Sequence, residues 1–187
     1  AVGRGEVAAG RRGLGGLPEE MEKDDPSVSL ARCWALFLSG PGTAIAPHLE
    51  RATEAYERLV SEGTLEDAQQ SQIVSQLAMM RSVLARSRAE HAQSVAYAEE
   101  AVRLVPPEMS DTAGTPWNML GAARAGAGDF EGAIEAHRRG VDLTRREGNL
   151  IGCYSCTYSH AMYAIIQGRL NEAEAACRTA IERATRE

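Results

Sequence analysis

Cys153, Cys156 and His160 stand at i, i+3 and i+7, a spacing that puts three metal-binding side chains on one face of a helix. Cys177 follows on the next helical segment, and three thiolates with one imidazole make a tetrahedral zinc set. The competing reading is packing. The cluster sits inside a regular helical pattern rather than on a knuckle loop, and cysteine is a common small buried residue. A disulfide is not expected in a cytosolic chain. Two cysteines three apart on one helix also make a poor bridge. The residues therefore give no reason to assign a metal or a cofactor.

Other chemistry is sparse. Ser, His and Asp are scattered, with no nucleophile elbow. His48, His91 and His137 fall on helix faces near acidic residues and read as surface groups, His137 half buried where it replaces an aromatic residue. No G-x-x-x-x-G-K-[ST] phosphate loop is present. The expectation is a protein that is not an enzyme. The net charge of −6 argues against direct nucleic-acid contact, which rests on neutralising Lys and Arg. Arg138-Arg139 and Arg145-Arg146 sit among glutamates, and Glu54–Arg58, Glu99–Arg103, Glu135–Arg139 and Glu174–Arg178 are in the favourable i,i+4 order of solvated helix faces.

The elements that position these residues are helices in repeating pairs. In WNMLGAARAGAGDFEGAIEAHRRGVDLT, Trp117, Leu120 and Gly121 precede the turn Gly128-Asp129-Phe130, and Ala133 and Ile134 follow it. This is the tetratricopeptide pattern. Its mechanical meaning is that two antiparallel helices approach closely only at small residues, here Gly121 and Ala133. Forty residues after Gly128 comes Gly168, with Leu170 in place of Phe130, Ala173 in place of Ala133 and Ala180 in place of Gly140. Upstream, Ala101 and Leu104 lie about one repeat before Gly140 and Leu143, and LARCWALFLSGPG is an apolar helix ending in a turn. The period exceeds the roughly 34 residues of the common repeat.

The predicted fold is all-α, a tetratricopeptide-like superhelix of antiparallel helix pairs. Residues 1–187 read as one helical-repeat domain, with 1–17 a truncated first unit frayed by its glycines. Asp25-Pro26 starts a helix to about Leu38. Pro47 opens another, ending near Gly63, and Thr64 caps a long helix through Arg88. The next ends at Pro106. A loop over 106–115 and a Thr115-Pro116 start precede helices near 116–126, 129–147, 149–167 and 169–186.

No apolar run reaches the roughly 18–20 residues that span a membrane, and no signal peptide is seen. A cytoplasmic location without membrane contact is expected. The chain opens in AVGRGEVAAG without an initiator Met, which reads as a cut within a longer protein.

The order of several short motifs resembles the sensor region of large LuxR-type, MalT-like transcription regulators. Arg4-Gly5-Glu6, Leu17-Pro18-Glu19-Glu20, Pro26 and Trp34-Ala35-Leu36 with Phe37 follow that order. So do YAEEAVRLVPPE and the ending EGNLIGCYSCTYSHAMYAIIQGRLNEAEAACRTAI. The resemblance implies a segment that binds an effector and biases a larger switch carrying an ATPase module and a helix-turn-helix. Neither of those two modules lies in these residues.

Binding is the function left. In a stack of helix pairs the first helices line the concave face. That places Met79, Val83 and Arg86, then Asn118 and Ala122, then Tyr158, Met162 and Ile165 in one groove, with Asn118 and Arg86 as polar anchors. Trp34 reads as core. The expected occupant is a small-molecule effector or a protein or peptide partner, and homo-oligomerisation stays open. The alternative function is a freestanding tetratricopeptide adaptor that grips an extended peptide.

Overall fold

The computed structural model describes residues 25–105, 114–146 and 148–185. The expected frayed unit at 1–17 and most of the 106–115 loop lie outside these residues. Among the described residues every regular element is helical: α1 Pro26–Ser39, a 3-10 turn Gly42–Ile45, α2 Ala46–Ser61, α3 Asp67–Ser87, α4 His91–Leu104, α5 Gly114–Gly126, α6 Phe130–Arg146, α7 Leu150–Ile166 and α8 Leu170–Ala184. No described helix is long and apolar enough to cross a membrane.

Local chemistry sets the helix ends. Asp25 accepts a hydrogen bond from Ser27 N at 2.8 Å and Pro26 occupies the first turn, so α1 starts where the sequence predicts. The long third helix starts later than predicted. Thr64 Oγ1 donates back to Leu59 O, closing α2, and α3 is capped instead by Glu66 in a reciprocal box with Gln69.

Five turns share one hydrogen-bonded form. Gly63, Ala89, Gly128, Gly148 and Gly168 all have positive φ, between 60° and 85°. After each, the next backbone N–H reaches the carbonyl five residues back: Thr64 to Leu59, Glu90 to Ala85, Asp129 to Arg124, Asn149 to Thr144, Arg169 to Ala164. The turns at Ala89, Gly128 and Gly168 each link two helices within three residues, at intervals of 39 and 40 residues.

Such short links force the two helices side by side, and small residues hold the same positions in each pair. In α3/α4, Ser82 Oγ donates to Ser94 O (2.9 Å) and Ser94 Oγ to Ser82 O (3.0 Å), while Ser75 Oγ donates to Ala101 O (3.1 Å). These contacts run in opposite chain directions, so the pair is antiparallel. One interval later Gly121 and Ala133 hold the positions of Ser82 and Ser94, and one further on Ala161 and Ala173 do, all buried. At Gly121 a Cβ would lie 2.5–2.7 Å from three ring atoms of His137, which leaves no room for a side chain.

Adjacent pairs stack unevenly. The backbones of α3 and α5, and of α5 and α7, approach more closely than those of α4 and α6 or of α6 and α8. Trp117 of α5 packs against the cluster of Ala98, Leu120, Ala123 and Ala136, which joins α4, α5 and α6, as do Val95 and Val102, and the Arg139 guanidinium lies 4.8 Å from its ring centroid. The largest apolar cluster joins α1, α2 and α3 through Leu30, Ile45, Leu49, Leu77 and Met80. At the other end α8 buries only Ala173. Glu135–Arg139 and Glu174–Arg178 pair as expected, but Glu99 pairs with Arg124 of α5 at 3.2 Å.

The turn at Ala89 predicts a stabilising change. An L-residue in the left-handed region costs about 1–2 kcal/mol, partly offset by glycine's greater freedom when unfolded. Ala89→Gly should raise stability by about 0.5–1 kcal/mol, seen as a higher urea midpoint at unchanged slope. Gly121→Leu should lower it by about 1–3 kcal/mol through overpacking; equal midpoints for Gly121→Leu and the parent would refute the close contact.

Candidate functional site

The face predicted from the sequence is only partly open. Met79 and Val83 are buried and belong to the α1–α3 core. The 3-10 turn lies over Val83: a Cβ at Gly42 would be 3.4 Å from Val83 Cγ1 and against the Ser87 side chain. Met79 is therefore corrected from a ligand contact to a packing residue, and Val83 is a core residue whose edge lines the small cavity beside Arg86. Trp34 packs against the same cluster, its ring edge-on to Phe37 at 5.9 Å.

The rest of the predicted set is at least partly accessible. Arg86 is half-buried beside the end of α5, where a Cβ at Gly126 would lie 3.6 Å from its Cδ. It also lines a cavity of about 300 Å³ with Phe37, Gly40 and Gly42. Asn118 Nδ2 donates to Ser155 Oγ of α7 at 3.2 Å, and Ala122 and Met162 are half-buried. Tyr158 and Ile165 are 69% and 55% exposed, joined on α7 by exposed Ile151. Apolar exposure grouped on one helix in this way marks interaction surfaces.

The cysteine cluster does not assemble. Cys153 and Cys156 are buried, Cys177 is exposed, and among the described residues no three His, Cys, Asp or Glu side chains gather to hold a metal ion. Cys156 Sγ instead fills the space beside Gly140, where a Cβ would lie 2.7 Å from it. His160 Nε2–H donates to Glu172 Oε1 at 2.8 Å, and Glu172 also pairs with Arg169 at 2.7 Å. The hydrogen bond from His160 is the main cause that holds the Glu172 carboxyl below its ordinary range, against a burial effect that raises it.

One buried group escaped the sequence. His137 is fully buried rather than half-buried, and neither ring nitrogen has a hydrogen-bond partner. It stacks on Tyr163, centroids 5.6 Å apart at 18°, and Tyr163 meets Phe130 at 5.9 Å. The signal available was its position three residues before Gly140, where the repeat carries an aromatic ring. Burial, and secondarily the charge of His160, lower its pKa from 6.5 to about 4.

A depressed histidine pKa sets the sign of a pH effect. Between about 6.5 and 4 the unfolded chain takes up a proton that the folded chain refuses. The stability tied to neutral His137 is complete above pH 6.5 and is lost as pH falls towards 4. His137→Phe should keep a ring against Tyr163 and flatten the stability profile across that window, measured by urea unfolding at several pH values; an equally steep profile would assign the slope to other groups. No family model, curated protein or solved structure matches this chain, so the reading of this surface rests on its geometry.

Proposed function

We propose that this chain is a tetratricopeptide-like, superhelical binding segment that takes a small-molecule effector or a protein on the face made by α3, α5 and α7. On this reading it is the sensor segment of a MalT-like LuxR-type regulator, cytoplasmic and without catalysis of its own. The observation that carries it is the apolar exposure of Tyr158 and Ile165, with Asn118, Ala122 and Arg86 at least partly accessible. The helix contacts support the same face. The backbones of successive first helices approach one another more closely than those of successive second helices, which supports a stack curved towards the first helices. Asn118 and Arg86 supply polar groups at the middle and one end, so an occupant needs an apolar body and one or two hydrogen-bonding groups.

Effector control requires different affinity for two states of a larger switch, because a ligand with equal affinity for both moves nothing. The regulator reading therefore calls for a phosphate loop before this segment and a helix-turn-helix after it in the full-length gene product. A start codon immediately before Ala1 would favour the freestanding peptide adaptor instead.

A thermal-shift screen against sugars, amino-acid derivatives, aromatic acids and nucleotides tests the binding reading. A compound that binds the folded chain raises stability by RT ln(1 + [L]/Kd), and Tyr158→Ala and Ile165→Ala should each reduce that shift without lowering the unliganded midpoint. Shifts that survive both changes would move the site off this face, and a screen without shifts would turn the reading to a peptide partner.

A further inference from the structure

A second site lies on the opposite side of the stack, and its argument is independent of the concave-face reading. The gap between α6 and α8 holds a cleft of about 680 Å³ floored by α7. The equivalent gap one repeat earlier, between α4 and α6, is filled by Trp117. The interval of 40 residues that carries Gly128 to Gly168 carries Trp117 to Thr157, whose short side chain leaves that volume open. The walls correspond as well. Val102, Ala136 and Arg139 around Trp117 become Val141, Ala176 and Thr179 around the cleft. The cleft is thus shaped for an aromatic ring that the chain itself provides in one unit and omits in the next.

The charges around it give the ring a substituent. Four guanidinium groups line the cleft, Arg138, Arg145, Arg169 and Arg183, against two carboxylates, Asp142 and Glu172. At the α7 C-terminal end the carboxylates are satisfied: Glu172 is held by Arg169 and His160, and Arg169 also meets Glu131 at 2.9 Å. Arg138 at that end pairs with Glu135 at 3.4 Å. Towards the α7 N-terminal end Asp142 is the one carboxylate among the described residues that line the cleft beside Arg145 and Arg183, and it pairs with Arg145 at 3.3 Å on the exposed surface. Exposed pairs of that kind exchange readily for a better anion. Thr157, Arg145 and Arg183 line the same cleft, so a ring over Thr157 and an acid group at Arg145 and Arg183 can belong to one small molecule.

We infer that the α6–α8 cleft binds a small aromatic carboxylate, its ring in the place that Trp117 fills one repeat earlier and its carboxylate between Arg145 and Arg183. Thr157 sets the depth of the ring pocket; its hydroxyl donates to Cys153 O at 2.9 Å and is not itself needed as a ligand contact. Arg145 and Arg183 select for the anion through charge-assisted hydrogen bonds.

Calorimetric titration of the 187-residue chain with indole-3-propionate tests this, with indole and propionate as controls for ring and charge alone. Saturable one-to-one binding of indole-3-propionate is expected, with both controls weaker by about tenfold or more. Arg145→Gln and Arg183→Gln should each weaken it by about tenfold. Thr157→Trp should abolish it while melting no lower than the parent, because its ring fills the cleft as Trp117 fills its own gap. Ala176→Trp, on the opposite wall, should block binding in the same way if Thr157→Trp folds poorly. Absence of saturable binding, indole binding as tightly as indole-3-propionate, or unchanged affinity in Ala176→Trp would each overturn the assignment. Tyr158→Ala and Ile165→Ala should leave this titration unaltered, which separates it from the concave face.

Discussion

The fold depends on helices brought closer than ordinary side chains permit. Three-residue links at Ala89, Gly128 and Gly168 leave paired helices no choice but to lie side by side. The pairs survive that proximity because Ser82 meets Ser94, Gly121 makes room for the His137 ring, and Ala161 and Ala173 share one cluster. Everything wider in the structure is arranged around these points of closest approach: His137 against Gly121, Cys156 against Gly140, Trp117 over the gap beyond. The chain's abundance of alanine follows from this geometry, since apolar burial here comes from many small contacts rather than a few large side chains.

The three pairs meet this constraint in chemically different ways. α3/α4 uses two serines whose hydroxyls satisfy each other's backbone carbonyls, so a slip of one turn would leave buried hydroxyls unpaired. α5/α6 uses the absence of a side chain, and α7/α8 uses two methyl groups. The first arrangement specifies register through polar satisfaction, the other two through shape. Register also fixes which side chains of α5 and α7 remain accessible.

Much of this was legible in the sequence, and the failures have physical causes. Helix order and most helix ends could be read because proline, N-cap residues and glycine turns act locally. The turn at Ala89 was hidden because alanine is not the residue that announces a left-handed conformation. Thr64 was misread as a cap because a hydroxyl serves the end of one helix as well as the start of another. Met79 and Val83 were assigned to a groove because periodicity tells which face a residue occupies and not what lies on it; the 3-10 turn that lies over Val83 comes from outside the repeat. Arg86, Asn118, Ala122, Tyr158, Met162 and Ile165 were placed on an accessible face because they recur at one interval. The α6–α8 cleft had a sequence signal, Thr157 in the place of Trp117, but a missing side chain is read as a cavity only once its walls are known.

The uneven burial along the chain has a further consequence. α8 contributes a single buried residue, Ala173, whereas α3 buries residues along most of its length. Local opening costs least where the fewest apolar contacts must be broken. The molecule therefore carries a gradient of protection, firm around α3 and loose at α8. Whatever bridges α8 to α6 would therefore add buried contacts to the helix that has fewest of them, so occupancy of that surface is expected to register as added protection of α8.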